Sequence, residues 1–378
     1  MTRIYLDNAA TTALDADVLQ AMMPYLSERY GNPSSIHHFG REARAGMEKA
    51  RKECAALLGA RPAEVFFTSC GTESTNTVLM GAVRDLGRIR LISSPIEHHA
   101  TLHAAEFLQS LGLCRVDWLR LAPDGHIDYD HLEELLQEDG PRTLVSLMHA
   151  NNEIGNITDM QRVGELCRRF GALLHTDAVQ TVAHWPLDLS RLPVDFLSAS
   201  AHKFHGPKGS GLLFVRGGLA LRPFIHGGAQ ERNMRAGTEN VANAIGFAAA
   251  LEKALRHLEE EHTYIQSLKS GMMEMLQQQV PGIRFHGDTT PETSLYTVLN
   301  AGFDLNDRSE MLSMNLDVAG IAVSGGSACS SGAQGGSHVI RALYPGQDTV
   351  PIRFSFSRHN TFEEIEHCAA TVGKLMAP

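Results

Sequence analysis

Residues 144–203 decide the fold. They run Leu144-Val145-Ser146-Leu147-Met148, then Met160–Phe170, then Ala172-Leu173-Leu174-His175-Thr176-Asp177, then Phe196-Leu197-Ser198, and close on Ser200-Ala201-His202-Lys203. The short apolar runs have strand composition, and the segment between the first two has helical period. A strand, a crossover helix and a second strand make a parallel pair, and such sheets carry helices on both faces. Working outward, Val65-Phe66-Phe67-Thr68 precedes a helix over Thr72–Leu86, and Arg90-Leu91-Ile92-Ser93 precedes one over Ala100–Leu111. Leu212-Leu213-Phe214-Val215 follows as another strand. The expected class is α/β, with a mostly parallel central sheet. Sheets of this kind bind ligands outside the carboxyl ends of their strands.

After Asn240 the texture changes. Val241 to about Gln279 is apolar-periodic and nearly free of Gly and Pro, so it predicts helices. Past Pro281, short strands and helices suggest a smaller α+β unit, with a boundary near 250–260. The stretch Ser324–Ser337 crowds Ser and Gly around Cys329, a composition that predicts a flexible loop.

The bulk numbers narrow the class. A chain of 378 residues is long enough for a large core and two domains. With 43% apolar and 20% charged residues it has the composition of a soluble globular protein. The net charge of −10 argues against nucleic acid as the main partner, because phosphate binding needs concentrated positive charge. The six cysteines, at 54, 70, 114, 167, 329 and 368, form no CxxC pair and no zinc-ribbon spacing, so no metal is expected. Neither a leader-like start nor a membrane-length apolar run is present, and a cytoplasmic protein with reduced thiols is expected, most of them inert in the core.

The polar punctuation falls where strands should end. Ser200-Ala-His202-Lys203 leads into a Gly/Pro turn, and a lysine so placed could form a Schiff base. Taken alone it is first a surface lysine in a polar turn. His175-Thr-Asp177-Ala-Val-Gln180 alters that weighting: a carboxylate at a strand end could pair with a pyridinium nitrogen, and Gln180 could bond the ring's phenolic oxygen. Alone, Asp177 is a helix cap. Thr68-Ser-Cys70-Gly71-Thr72 joins a strand to a helix and could offer amides and a hydroxyl to a phosphate, although ordinary capping has the same geometry. Glu97-His98-His99 with His103 suggests a metal at first glance. Only His99 and His103 share a helical face, with no third ligand at a recognised interval. A flat imidazole at a strand end could instead stack on a ring and shuttle protons. Asn151-Asn152-Glu153 could orient a carboxylate, or simply turn the chain. Arg353 could fork onto a substrate carboxylate, or form a surface ion pair. Cys329, in its polar loop, is a plausible exposed thiolate.

Taken in order, the set resembles the cysteine desulfurases, pyridoxal-phosphate enzymes of the class V aminotransferase group. The resemblance covers nearly the whole chain and is carried by Tyr5–Thr12, Gly31–Ser35, Thr68–Asn76, Glu97-His98, Asn151–Gly155, Asp177–Gln180, Ser200–Lys203, Gly237-Thr238, Ser327-Ala-Cys329 and Arg353–Ser355. It implies a type I fold for this cofactor class, and pyridoxal 5'-phosphate held on Lys203. Asp177 would sit on the ring nitrogen, Gln180 on the ring hydroxyl and His98 against the ring. Gly71, Thr72, Ser200 and His202 would hold the phosphate. Thr238 of a neighbouring subunit would add a contact, so a homodimer is implied. Asn152 and Arg353 would hold the carboxylate of L-cysteine, and Cys329 would be the nucleophile that becomes a persulfide. The Ser-Ala-Cys form looks like the long-loop branch that feeds iron–sulfur scaffolds, so a sulfur-accepting protein is implied as partner. The expected division is a large domain over 15–255 and a small one from 1–14 with 256–378, carrying the Cys329 loop. Cys70 stands where the family more often has Gly or Ala, and Arg358-His359 follow a Ser where it usually has Gly. Competing readings are a selenocysteine lyase, an aminotransferase of the same fold, and a catalytically dead homologue kept as a docking module.

Overall fold

The computed structural model describes residues 3–325 and 336–377. Cys329 therefore lies outside the described residues. The main sheet has seven strands: β2 (Val65–Thr68), β3 (Arg90–Ser93), β4 (Arg115–Trp118), β5 (Thr143–Met148), β6 (Leu173–Asp177), β7 (Phe196–Ser200) and β8 (Gly211–Val215), after a short β1 (Ile4–Tyr5) that lies elsewhere. Its order is β2-β8-β7-β6-β5-β3-β4. All neighbours from β7 through β4 are parallel; β8 runs antiparallel to both β7 and β2.

Strand alternation splits the apolar side chains onto two faces. Ile92, Val145, Leu174, Leu197 and Phe214 join one cluster, while their neighbours Leu91, Leu144, Leu173, Phe196 and Leu213 join another. Helices α1 (Ala16–Ser27), α2 (His38–Leu57), α5 (Tyr129–Asp139), α6 (Met160–Phe170) and α8 (Val241–Arg256) contribute to the first cluster. Helices α3 (Gly71–Leu86) and α4 (His99–Ser110) contribute to the second. A short turn, α7 (Gln230–Asn233), precedes α8. Local chemistry sets the helix ends. Asp159 caps α6 by accepting from Arg162 N at 3.0 Å, and Gly171 ends it at φ 72°, where a side chain is disfavoured.

The expected helical stretch after Asn240 is two helices separated at His257: α8, and α9 (Leu258–Gln279). They face different partners. Helix α8 packs on α1 and α2, whereas α9 packs on α13 (Phe362–Met376). The latter pair covers a three-stranded antiparallel sheet of β9 (Arg284–Phe285), β10 (Val298–Asp304) and β12 (Thr349–Ser355). Helices α10 (Asp307–Glu310) and α11 (Leu312–Val318), strand β11 (Ile321–Ala322) and helix α12 (His338–Leu343) complete this part, with β11 pairing β1 in parallel. Their apolar residues form a third cluster that includes Ile4, Leu6, Leu268, Phe303, Phe354 and Val372. No helix among the described residues is long and apolar enough to cross a membrane.

Two connections tie the third cluster to the main sheet. Residues 6–12 run as a strap: Ser355 N donates to Leu6 O at 2.8 Å, and Thr12 N donates to His202 O at 2.9 Å. Arg358, whose place in the sequence had no account, reaches Asp15 Oδ2 at 2.6 Å and Glu261 Oε1 at 2.8 Å. It thus joins the cap of α1 to α9.

Candidate active site

The carboxyl ends of β5, β6 and β7, the start of α3 and the 6–12 strap enclose a cavity of about 210 Å³. Gly71, Thr72, His98, Asn152, Asp177, Gln180, Ser200, His202, Lys203 and Arg353 all line it, together with Cys70. The structure thus gathers every expected site residue except two. Thr238 is exposed and borders a separate cavity of about 260 Å³ with Ser69 and Arg235. Cys329 is outside the described residues.

Lys203 ends a single 3-10 turn after β7. Its Nζ donates to Ala9 O at 2.5 Å and Ala10 O at 3.0 Å, so the strap holds the amine. Gln180 Nε2 donates to the same Ala9 carbonyl at 3.1 Å. Asp177 is 7% exposed and accepts from Val179 N at 3.0 Å. Burial pushes its carboxyl up to about 6, against the opposing pull of the Val179 amide and the Lys203 charge. That environment favours a cationic partner at the carboxylate.

His98 caps α4, its Nδ1 accepting from Ala100 N at 3.1 Å. With Nδ1 an acceptor, a neutral ring carries its proton on Nε2. Burial, then the Lys203 charge and three neighbouring histidines, pull it down to about 4. It is therefore neutral near pH 7. His202 is also pulled down to about 4 by burial and then Lys203; its Nδ1 lies 3.2 Å from Thr11 Oγ1.

The remaining groups look built for an anion. Ser200 is 2% exposed, and its hydroxyl has no partner among the described residues. Helix α3 begins beside it without a side-chain cap from Cys70, leaving first-turn amides to be satisfied otherwise. A Cβ on Gly71 would lie 2.5 Å from Val179 Cγ2, so only glycine lets α3 start this close. Arg353 is 1% exposed, which rules out the surface pair weighed from sequence. It donates from Nη1 to Asn152 O at 2.9 Å and pairs through Nη2 with Asp7 at 2.8 Å, while its Nε has no partner among the described residues.

Two features escaped the sequence reading. Ala9 and Ala10 act through carbonyls, which leave no side-chain signal. Glu97 is buried behind the site, accepts from Met148 N at 2.8 Å and is raised well above the usual carboxyl range by burial. His99 stacks on His103 at 4.8 Å and lies 4.6 Å from His338, but no group of three or more such side chains among the described residues is arranged to hold a metal. Among the described residues four thiols are buried, and burial raises Cys114 to about 11 and Cys368 to about 12; Cys70 is half-buried.

A lysine amine, a buried carboxyl, an unpartnered hydroxyl and an uncapped helix start in one cavity fit pyridoxal 5'-phosphate. Comparison with known proteins points the same way. Residues 4–368 match the family model described as Aminotransferase class-V. A cysteine desulfurase IscS of Dictyoglomus turgidum is 41% identical over 99% of this chain and 94% of its own length. The cysteine desulfurase NifS of Azotobacter vinelandii is 39% identical over 100% of this chain and 93% of its own. A solved NifS-like protein superposes with a TM-score of 0.91 at 37% identity over the whole of both chains. On this evidence the chain belongs to the class-V aminotransferase family, among its cysteine desulfurases.

Proposed function

We propose that the chain is a pyridoxal 5'-phosphate enzyme that removes sulfur from L-cysteine, releases L-alanine and passes the sulfur on from Cys329. The observation that carries this reading is the cavity that joins Lys203, Asp177, His98, Ser200 and Arg353. When bound, the cofactor supplies an electron sink for charge that develops at the substrate α-carbon.

The chain's own residues do the rest. Asp177, as an anion, would pair with the ring nitrogen, and Gln180 with the ring hydroxyl. Ser200, His202, Gly71 and Thr72 would hold the phosphate. Arg353, with Asn152 beside it, takes the substrate carboxylate, and its unpartnered Nε is available for that. The Lys203 amine removes the α-proton. Neutral His98 would lie against the ring and move a proton to or from the substrate. The Cys329 thiolate bonds to the substrate sulfur as the substrate's carbon–sulfur bond breaks. The carbon keeps that electron pair, takes a proton and leaves in L-alanine; Cys329 is left as a persulfide for a thiol acceptor.

The finer parts of the proposal are a homodimer in which the partner supplies Thr238, a cytoplasmic location, and an iron–sulfur scaffold as acceptor. So is the division into 15–255 and 1–14 with 256–378. Separate apolar clusters support that division, one drawn from residues 18–254 and one from 4–6 and 265–372.

The test is an absorbance spectrum before and after L-cysteine with a thiol reductant, with alanine and sulfide assayed together and L-selenocysteine run in parallel. A bound-cofactor band and equal yields of both products support the reading. Pyruvate or a transaminated product would discard the desulfurase, and so would turnover confined to selenocysteine. Cys329→Ser should keep the band and lose turnover; full turnover would remove Cys329 from the role.

A further inference from the structure

The backbone of Lys203 is held by something the proposed reaction does not use. His184 Nε2 lies 2.9 Å from the Lys203 carbonyl, and His184 Nδ1 lies 3.2 Å from Tyr296 Oη. A carbonyl only accepts, so Nε2 carries the proton and donates. Nδ1 is then the acceptor, and the Tyr296 hydroxyl donates to it. The directions are forced: Tyr296 O–H to His184, and His184 N–H to Lys203 C=O. Burial lowers the His184 ring and raises the Tyr296 phenol, so one is neutral and the other keeps its proton.

Two further observations show that this placement is enforced. Ala183, immediately before His184, has φ 70°, the left-handed region that costs a non-glycine residue on the order of 1 kcal/mol and clusters at functional sites. Tyr296 is fully buried, with the His262 ring set edge-on at 4.5 Å. Tyr296 belongs to the third apolar cluster, whereas Lys203 rides on the main sheet.

Resting on the proposed function, we propose that His184 is a positioning residue for Lys203. It anchors the carbonyl of the cofactor lysine, Tyr296 fixes the tautomer that does so, and the packing around Tyr296 thereby sets how the Lys203 amine enters the cavity. The strap holds the amine from one end of the residue; His184 holds the backbone at the other.

The experiment strips the full-length protein of cofactor and measures rebinding of pyridoxal 5'-phosphate. It also records the bound-cofactor absorbance band and the α-proton exchange of L-alanine in heavy water. His184→Leu leaves the carbonyl unanchored, and affinity is expected to fall about tenfold, with a shifted band and slower exchange. His184→Gln keeps a donor and should restore most of both. Tyr296→Phe releases the tautomer, and affinity should fall about threefold. A folded His184→Leu protein with the parent's affinity, band and exchange would overturn the inference. If His184→Leu does not fold, parent-like affinity and band in Tyr296→Phe would overturn it instead. A parent chain that never binds pyridoxal phosphate would overturn the functional reading and this inference together, whereas a competent parent with indifferent variants removes only the inference.

Discussion

Strands β6 and β7 bury polar side chains in two different ways. In mid-sheet, His175 is fully enclosed, with Nδ1 2.8 Å from Ser146 Oγ and Nε2 2.9 Å from Ser198 Oγ. At the carboxyl ends of the same strands, Asp177 accepts one hydrogen bond from Val179 N, and the Ser200 hydroxyl has no partner among the described residues. The first arrangement is closed and serves the sheet. The second leaves polar capacity unspent where a ligand's atoms would lie. A buried polar group without a partner is costly, so its survival in a well-packed strand calls for an explanation. The contrast predicts opposite signs for substitutions only a few residues apart.

Asp177→Asn should show the largest effect. Sulfide production should fall about 100-fold or more, because the ring nitrogen loses its carboxylate. The cofactor-free protein should instead gain stability at pH 7. The Asp177 carboxyl is raised from 3.8 to about 6 in the fold, so its favourable protonated form is lost as pH rises through about 6. Removing the buried charge then gains about 3 kcal/mol near pH 7, and the gain vanishes toward pH 4. Denaturant melts of the stripped protein at both pH values check it; a loss at pH 7 would break the comparison.

His175→Leu should do the reverse. Two serine hydroxyls lose their imidazole, and the fold should lose about 3 kcal/mol, while the bound-cofactor band stays put. A shifted band with unchanged stability would place His175 in the site after all.

Ser200→Ala sharpens the contrast at smaller scale. Pyridoxal phosphate affinity should fall about fivefold with no loss of melting temperature in the stripped protein, since the hydroxyl removed has no partner there. A loss of stability without a loss of affinity would mark the hydroxyl as structural.

Arg358→Gln should be mildest. Its two partly buried ion pairs join α1 and α9, and Asp15 also keeps Lys253 at 2.9 Å. About 1 kcal/mol of stability is expected to go, less at high salt, with cofactor affinity unchanged.

By itself the sequence determined six strands of the main sheet, the helices after β2, β3 and β5, the helical run after Asn240, and the placing of Asp177, Ser200, Lys203 and His98 at strand ends; β4 and helices α1, α2 and α5 went unread. What it determined follows from period, turn chemistry and caps, which act over a few residues. The break at His257 illustrates the limit: helical period runs through 241–279, and only the different partners of α8 and α9 show why the chain divides there. Tertiary structure alone decided the strand order, the delivery of the Ala9 and Ala10 carbonyls to Lys203, and the meeting of Arg353 with Asn152. It also decided the link from Tyr296 through His184 to the Lys203 backbone. Apart from His184 and Lys203, which are 19 residues apart, these contacts close loops of a hundred residues or more, often onto backbone carbonyls that every residue carries, so no local pattern announces them.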